Sequence, residues 1–524
     1  MIRSVRKGDQ EWRAAAKEVA IPLLILALAA FIYGFLYGFD GVLLRDYSIY
    51  LYSGQRVAEG IPPYTGVFDH KGPFSPLLAG AGVLLSKKLG FFLDDVYGVR
   101  ALFFLAGSFA VVAIYLLGKS AFGSSRAAGI FAALTFLGFY AYAQPVASGP
   151  EPKTPMVLFE ALSLAFTTTK RWFWGAFFGC LASLVWQPMA IFFLVTLVLA
   201  ISQPKEERLD AALKALAGIA LPFMATLAYF YYYGALGDFM DGFVLFNVKY
   251  LVRGDQGGWP LLSQLGGMVT VVSIAYGTMV VPIVVGLINI FRLYFLRPFE
   301  YRYAPLLLSL PAPLLWSLKD FQLADDFFVF LPYVAVGFGA FLASMLGRLS
   351  SRRSEAKKRR LLALLFGALL IGVALANTSE VINAGAAKEL KGTEIDLSQQ
   401  REGALEIEKR LGGGGGGEGG VKLASIGSPQ ALVLLEKKNP NPYPWITAGV
   451  DNEIEAREVG GFEGWVEELK EADPDGILFF GEGQTLMYTT HLTSEHAKEL
   501  NDFLNSYYHV EKIGPWWLYV KGAK

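Results

Sequence analysis

Long apolar segments recur from about residue 19 to residue 377 and determine what this chain can fold into. A helix needs about 20 apolar residues to cross a bilayer. The composition agrees, since 54% of the residues are hydrophobic, 18% are charged and the mean hydropathy is +0.41. The chain is therefore predicted to be an α-helical polytopic membrane protein. The apolar segments lie near 19–38, 97–118, 127–146, 155–169, 172–202, 211–233, 264–291, 303–318, 326–347 and 360–377.

Two apolar segments are not predicted to be single crossings. The additional run at 73–90 holds Pro73 and Pro76 and ends at Lys87-Lys88, which favours a helix along the membrane interface. The run at 172–202 is too long for one crossing and contains Gln187-Pro188, so it is predicted to form two helices. The sequence then predicts about eleven crossings.

The basic residues indicate the orientation. Lys and Arg gather in one set of loops, including Lys170-Arg171 and a dense cluster at 348–360, as expected for cytoplasmic loops. The N-terminus is then cytoplasmic and the membrane is predicted to be the plasma membrane. Lys and Arg total 46 and so do Asp and Glu, a balance that argues against bulk nucleic-acid binding. The predicted outer segments are 39–96, 147–154, 234–263, 319–325 and everything after about 378.

The composition changes sharply near Asn377. The sequence is divided into a transmembrane domain at 1–377, whose outer loop is 39–96, and a soluble extracytoplasmic domain at 378–524. Short apolar runs at 421–426, 476–480 and 516–520 are typical of strands, and 494–508 has helical spacing. A small α/β domain is expected.

The first outer loop offers a candidate catalytic carboxylate. Asp46 lies just past the first crossing, where a carboxylate can act as a general base. The alternative is a structural role, because Asp46 precedes a helix-compatible run at 47–59 and could cap it. Further on, Lys71 can hold an anionic phosphate, while Asp69 and His70 can bind a divalent metal or position Lys71. A solvated loop before a proline is the alternative for these three residues.

Three later outer segments also carry charge. Glu151 and Lys153 are candidates for substrate binding, or they form an ordinary proline-rich loop. A cationic place for a lipid phosphate is predicted beyond the next apolar helix, and its alternative is juxtamembrane anchoring. In the last segment at least one pair of charged residues is predicted to form an ion pair only because a lone charge near lipid is costly. The residues of the proposed phosphate place are Asn247, Lys249, Tyr250 and Arg253. The charged residues of the last segment are Lys319, Asp320, Asp325 and Asp326.

Several motifs in this order carry a family resemblance. The chain resembles the C superfamily of membrane glycosyltransferases, and within it the branch of protein O-mannosyltransferases and lipid A aminoarabinose transferases. The motifs are Asp46 with Tyr50, Gly60-Ile61-Pro62-Pro63-Tyr64, Phe68-Asp69-His70-Lys71-Gly72-Pro73, the outer loop at Glu151, the split helix at Gln187-Pro188, the stretch at 233–239 and the helix that starts with Phe328-Val329-Phe330-Leu331-Pro332.

The resemblance implies a reaction and partners. The donor would be a polyprenyl-phosphate-linked sugar and the acceptor a lipid, a polysaccharide or a protein, with inversion at the sugar carbon. Asp46 would deprotonate the acceptor hydroxyl and Lys71 would lie near the donor phosphate. The chain departs from the family pattern at Tyr47, which follows Asp46 where a second acid is frequent, at Glu151, which replaces an aspartate, and at Asp325-Asp326, which replace a His-Tyr pair.

Two other classes of function stay open at this stage. A polytopic lipid or glycan transporter would place ionisable residues at mid-membrane and show two related halves, whereas the charges here gather on one face. A ligase or oligosaccharyltransferase for a preassembled glycan is not excluded by the first outer loop. A receptor-like scaffold is disfavoured because it would not need so many charged outer loops.

Overall fold

The structure is a computed structural model of the full chain. It describes residues 18–90, 94–252, 261–296, 300–319, 321, 324–349, 361–373, 375–376, 396–412, 420–427, 429–446, 449–479 and 492–522. The predicted domain boundary near Asn377, most of the basic cluster at 348–360 and Arg253 lie outside these residues.

Helices dominate the chain up to residue 373. In chain order they are α1 (Glu18–Phe35), α2 (Arg45–Ala58), α3 (Phe74–Leu89), α4 (Asp95–Ala121), α5 (Arg126–Leu137), α6 (Tyr140–Ser148), α7 (Thr154–Thr168), α8 (Trp172–Val185), α9 (Ala190–Ile201), α10 (Lys205–Tyr232), α11 (Leu236–Phe239), α12 (Leu261–Tyr276), α13 (Val280–Leu293), α14 (Ala304–Ser309), α15 (Pro311–Lys319), α16 (Leu331–Leu349) and α17 (Leu361–Val373). Two π-helical stretches, Met240–Leu245 and Asn247–Val252, follow α11, and a 3-10 turn at Ala324–Phe330 precedes α16.

Several of these helices can cross a membrane by length and composition. Among the described residues five qualify, and a sixth span results if α5 and α6, which meet at a bend of 69°, are counted as one. The apolar helices α7, α8 and α17 and the segment Gln187–Ile201 are shorter. The polytopic helical class is confirmed, while the total of about eleven crossings stays a prediction.

The predicted break in the 172–202 run is present. Helix α8 ends at Val185, a short 3-10 turn covers Gln187–Met189, and α9 starts at Ala190. Proline lacks the N–H that an uninterrupted helix would need at position 188, so the chain turns there. The break leaves the carbonyl of Val185 free to accept a hydrogen bond from Gly72 N–H at 3.1 Å. The helix break is thus where the first outer loop attaches.

The tail folds as the predicted α/β unit. Its sheet has the order β1 (Leu423–Ser425), β2 (Gly476–Leu478), β4 (Trp516–Lys521), β3 (Tyr508–Ile513), with β1 and β2 parallel and the other pairs antiparallel. The sequence patterns predicted β1, β2 and β4 but missed β3, whose hairpin with β4 turns at Gly514 with a φ of +55°. The helices of the tail are α18 (Leu397–Gly412), α19 (Gln430–Leu434), α20 (Val450–Arg457), α21 (Gly461–Ala472) and α22 (Ser494–Tyr507).

The tail shares its apolar cores with the first outer loop. One cluster joins Leu43 and Leu51 to tail residues such as Leu397 and Leu432. A second joins Phe68 and Phe246 to the core of the tail. Because burial of apolar surface is the main stabilising term in folding, the tail and the outer segments stabilise one another.

Candidate functional site

One cavity of about 670 Å³ lies where the outer loop, the α8–α9 break and the π-helical stretches meet. Its polar lining brings together residues from four segments that the topology prediction places on one side of the membrane. The side itself stays a prediction. The polar residues that line the cavity are Asp46, His70, Lys71, Lys153, Ser183, Gln187, Asn247, Asp325 and Asp326.

The rest of the cavity lining is apolar. It comes from α8, α9, α10 and the stretch around Val244, and Phe223 on α10 is still 42% exposed at the protein surface. The cavity is therefore lined both by charged groups and by apolar residues of a helix that is long enough to span a membrane. The apolar lining residues are Cys180, Leu184, Pro188, Ala190, Phe193, Ile219, Phe223, Phe243, Val244 and Val248, with Trp186 and Trp316.

Asp46 lies in the first turn of α2 and its carboxylate reaches the cavity. The capping position of this helix is Leu44, so the alternative that Asp46 caps α2 is wrong. Its Oδ1 accepts a hydrogen bond from Arg45 Nε at 2.9 Å, and the side chain keeps 38% of its exposure. A carboxylate near a helix N-terminus is favoured by the helix dipole. Asp46 is thus held by one neighbour and remains open to the cavity.

Lys71 is held by its backbone and by an aromatic ring. Tyr64 O–H donates to the Lys71 carbonyl at 2.7 Å, and the ammonium lies 5.7 Å from the centre of the Tyr50 ring. Asp69 accepts from the N–H groups of His70 and Lys71 at 2.7 and 3.2 Å. Its carboxylate therefore closes the turn that presents the lysine to the cavity.

Two glycines allow this turn to pack closely. A side chain on Gly72 would come within 2.0 Å of the Leu184 carbonyl, where α8 ends. A side chain on Gly242 would meet Tyr64 at 2.5 Å and the Asp69 carbonyl at 2.8 Å. The loop, the helix break and the π-helical stretch are in contact through their backbones, which fixes Lys71 relative to the apolar lining of the cavity.

Lys153 is paired with two carboxylates. Its Nζ is 2.7 Å from Asp325 Oδ2 and also contacts Asp326, and it lies 5.1 Å from the centre of the Trp186 ring. Only 8% of the Lys153 side chain is exposed. The prediction that the late acidic residues are paired to avoid a lone charge fits this geometry, although the partner comes from another outer segment. Lys153 is therefore largely neutralised before any ligand enters.

We expect the variant Lys153→Met to destabilise the protein by about 1–2 kcal/mol, since it leaves two adjacent carboxylates without their cation. The loss falls below that for a fully buried pair because Asp325 keeps 27% of its exposure. Thermal unfolding in detergent measures it, and adding Asp325→Asn and Asp326→Asn restores part of the loss. The exposed pair of Lys214 and Asp210 serves as the control, and Lys214→Met should leave the midpoint unchanged. Equal midpoints for both lysine variants would contradict a supporting ion pair.

Glu151 lies behind this ion pair in the loop between α6 and α7. Burial, with the Asp325 carboxylate as the second cause, raises the pKa of Glu151 to about 8. Its Oε1 lies 3.2 Å from the Lys153 N–H, which donates to it. Glu151 is thus protonated at neutral pH, a state in which it supports the loop more readily than it binds a cation.

The Glu151 proton predicts a pH dependence of stability. The folded state keeps this proton at pH values where an unfolded carboxyl with a pKa of 4.5 has lost it. Its stabilisation is complete below about pH 4.5 and is lost as the pH rises through about 8. Unfolding midpoints at pH 5, 7 and 9 should therefore fall more steeply for the wild type than for Glu151→Gln. The exposed Glu402→Gln is the control and should follow the wild type; parallel profiles for all three proteins would contradict the prediction.

Three further predicted site residues are Lys249, Tyr250 and Arg253. Lys249 is exposed, and the described residues that line the cavity do not include it. The backbone of Tyr250 belongs to the stretch Asn247–Val252, and Arg253 lies outside the described residues. Binding of a lipid phosphate by these three residues stays a prediction. The amide of Asn247, in contrast, is at the cavity and donates to the His70 carbonyl at 2.7 Å.

Among the described residues the structure adds no third metal ligand to Asp69 and His70. Within the described residues no group of three His, Cys, Asp or Glu side chains is arranged to hold an ion. Asp69 and His70 are neighbours, with 3.8 Å between Oδ1 and Nδ1. A divalent metal there stays a prediction.

Two buried charged residues, Arg100 and Glu160, were not identified from the sequence. Arg100 on α4 donates to the carbonyls of Gly149 and Gly41, each at 2.8 Å, and so fastens two outer segments to one helix. Glu160 is fully buried within α7, and in the described part of the chain neither of its carboxylate oxygens has a hydrogen-bond partner. In the sequence each of them is a charged residue within an apolar run, and this pattern could have identified both as candidates.

The described residues combine apolar helices long enough to cross a membrane, further helices beside a charged cavity and a small α/β tail. No protein-family profile and no curated protein matches the sequence.

Among solved structures the chain is similar to ArnT from Cupriavidus metallidurans. The apo crystal structure aligns with a TM-score of 0.60 at 13% identity, over 98% of this chain and 100% of that one. The structure bound to undecaprenyl phosphate aligns with a TM-score of 0.56 at 12% identity, over 96% and 98%. At these identities the likeness shows the fold.

Proposed function

We propose that the protein is an integral-membrane glycosyltransferase that moves a sugar from a polyprenyl-phosphate donor to an acceptor hydroxyl on the extracytoplasmic face. The observation that carries this proposal is one cavity whose lining contains both charged and apolar residues. A polyprenyl-phosphate sugar has an anionic head and a long apolar tail, and the lining offers Lys71 for the first and apolar residues such as Phe223 for the second. The solved ArnT structure with undecaprenyl phosphate supports the same class of donor.

The proposed reaction assigns one role to each charged group. Asp46 takes the proton of the acceptor hydroxyl while the acceptor oxygen forms a bond to the anomeric carbon of the sugar. The bond from that carbon to the phosphate oxygen breaks, and its electron pair leaves with polyprenyl phosphate, whose charge Lys71 stabilises. Attack opposite the leaving phosphate inverts the anomeric carbon.

Lys153 receives a supporting role in this proposal. Because two carboxylates already pair with it, its net charge toward a donor phosphate is small, whereas Lys71 lies in a cation–π arrangement with Tyr50. The donor phosphate is therefore assigned to Lys71. Lys153 and Glu151 hold the loop before α7 against the turn before α16.

A binding experiment tests the donor class before any turnover is sought. The purified protein in detergent should bind undecaprenyl phosphate and, more weakly, dodecyl phosphate, with inorganic phosphate weaker still, because all three offer a phosphate to Lys71 but the apolar surface that they can bury decreases in this order. Native mass spectrometry or a competition assay ranks the three. Equal affinity for all three, or binding unchanged by Phe223→Asp, would count against an amphipathic donor in this cavity and return attention to a transporter.

A further inference from the structure

A stiff segment of the tail reaches the first outer loop beside the cavity. Residues 439–445, named the strap here, contain three prolines in the sequence Asn-Pro-Asn-Pro-Tyr-Pro-Trp. Proline fixes φ, so such a segment loses little freedom on folding. The strap is fastened to β1 at both ends, where Asn439 Oδ1 accepts from Ser425 N–H at 2.6 Å and the Pro444 carbonyl accepts from Ser425 Oγ at 2.7 Å.

The strap also bonds to the outer loop. Phe68 N–H donates to the Pro442 carbonyl at 2.7 Å, and the Phe68 ring lies 5.7 Å from that of Tyr443. At the start of the strap, Asn439 N–H donates to Tyr52 Oη at 2.7 Å. Both partners belong to the outer loop that carries Asp46 and Lys71, so the loop is docked on the tail.

Trp445, at the end of the strap, packs near His70, which precedes Lys71, and near Arg45, which precedes Asp46. Its ring lies nearly parallel to that of His70, with 6.2 Å between centroids and 28° between planes. Phe246 stacks on His70 in the same way at 5.4 Å and 28°. The Arg45 guanidinium also lies 6.0 Å from the centre of a Trp445 ring, and Arg45 Nε donates to Asp46.

The backbone of His70 is held from the membrane domain. Its carbonyl accepts from Gln187 Nε2 at 2.8 Å and from Asn247 Nδ2 at 2.7 Å. The tail therefore holds the ring of His70 through Trp445, and Gln187 at the helix break holds its carbonyl. His70 directly precedes Lys71. The tail and the membrane domain therefore both determine the position of Lys71.

We propose that Trp445 is a positioning residue for the transfer reaction. It acts on Lys71 through the ring of His70 and on Asp46 through Arg45, so the tail is part of the active site's architecture and more than a cover for it. This inference rests on the proposed function of the cavity. It predicts a specific kinetic effect, since a displaced Lys71 weakens the donor complex and a displaced Asp46 slows transfer.

The test compares Trp445→Ala with Trp445→Phe in the full chain, using undecaprenyl-phosphate sugars and following release of undecaprenyl phosphate. Loss of the aromatic contacts should raise the KM for the donor about three- to tenfold and lower kcat by a similar factor, and the phenylalanine should restore most of both. In the double variant with His70→Ala, the KM effects should be far less than multiplicative, because both changes break one contact.

The control separates positioning from tail stability. Trp465 is fully buried in the core of the same tail, so Trp465→Phe perturbs that fold without touching the strap contacts of Trp445. It should lower the unfolding midpoint while donor KM stays at the wild-type value. A donor KM unchanged in Trp445→Ala, or raised equally in Trp465→Phe, would overturn the inference. Absence of transfer by the wild type with every donor would instead overturn the proposed function.

Discussion

Replacing Asp46 with Asn should lower kcat for sugar transfer about a thousandfold, because a positioned general base contributes on the order of 10²- to 10⁴-fold. The amide keeps the size of the carboxylate but cannot take the acceptor proton. The donor KM should change little, since Asp46 is assigned no contact with the phosphate. The helix should also stay folded, because Leu44 holds the capping position of α2 and Asp46 is partly exposed.

The matched control is Asp40→Asn. Asp40 lies six residues earlier, is exposed and accepts from Tyr97 Oη at 2.5 Å, and it is not among the described residues that line the cavity. This variant should keep wild-type turnover. If Asp46→Asn turned over within a few-fold of the wild type, Asp46 would not be the base.

Replacing Lys71 with Ala should raise the donor KM about 10- to 100-fold, the expected loss for one hydrogen bond to a charged phosphate of about 1.5–3 kcal/mol. The acceptor KM should stay near the wild-type value. The turn itself should persist, because Tyr64 and Asp69 hold the backbone of this residue rather than its side chain. Lys71→Arg retains the charge and should recover part of the loss.

Lys438 provides the comparison for Lys71. It is 65% exposed, pairs with Glu59 at the outer loop and lies outside the cavity lining. Lys438→Ala should leave both Michaelis constants unchanged. An equal rise in donor and acceptor KM for Lys71→Ala would indicate a general structural role and contradict a phosphate contact.

The sequence was informative where one local cause dominates. The length of the 172–202 run and its Gln187-Pro188 step predict the break between α8 and α9, and short apolar runs predict β1, β2 and β4. Strand β3 was missed because its residues Tyr508–Ile513 are half exposed and continue directly from α22. No local pattern separates that strand from the end of the helix.

The site was predictable in its residue types but not in its pairings. Asp46, Lys71 and Lys153 were each identified as charges kept at one face, and the structure brings all three to one cavity. The ion pair of Lys153 with Asp325 joins residues 172 positions apart, and only the packing of α7 against the turn before α16 brings them together. The contribution of Trp445 likewise depends on how the tail docks, which an isolated Pro-rich segment does not reveal.

The most direct test of the central claim is turnover by the purified full chain with a panel of undecaprenyl-phosphate sugars and a membrane extract as the source of acceptors. The proposal predicts that at least one donor releases undecaprenyl phosphate in an acceptor-dependent way, and that Asp46→Asn lowers this release about a thousandfold while still binding undecaprenyl phosphate. Release from none of the donors, or equal release by the wild type and Asp46→Asn, would contradict it.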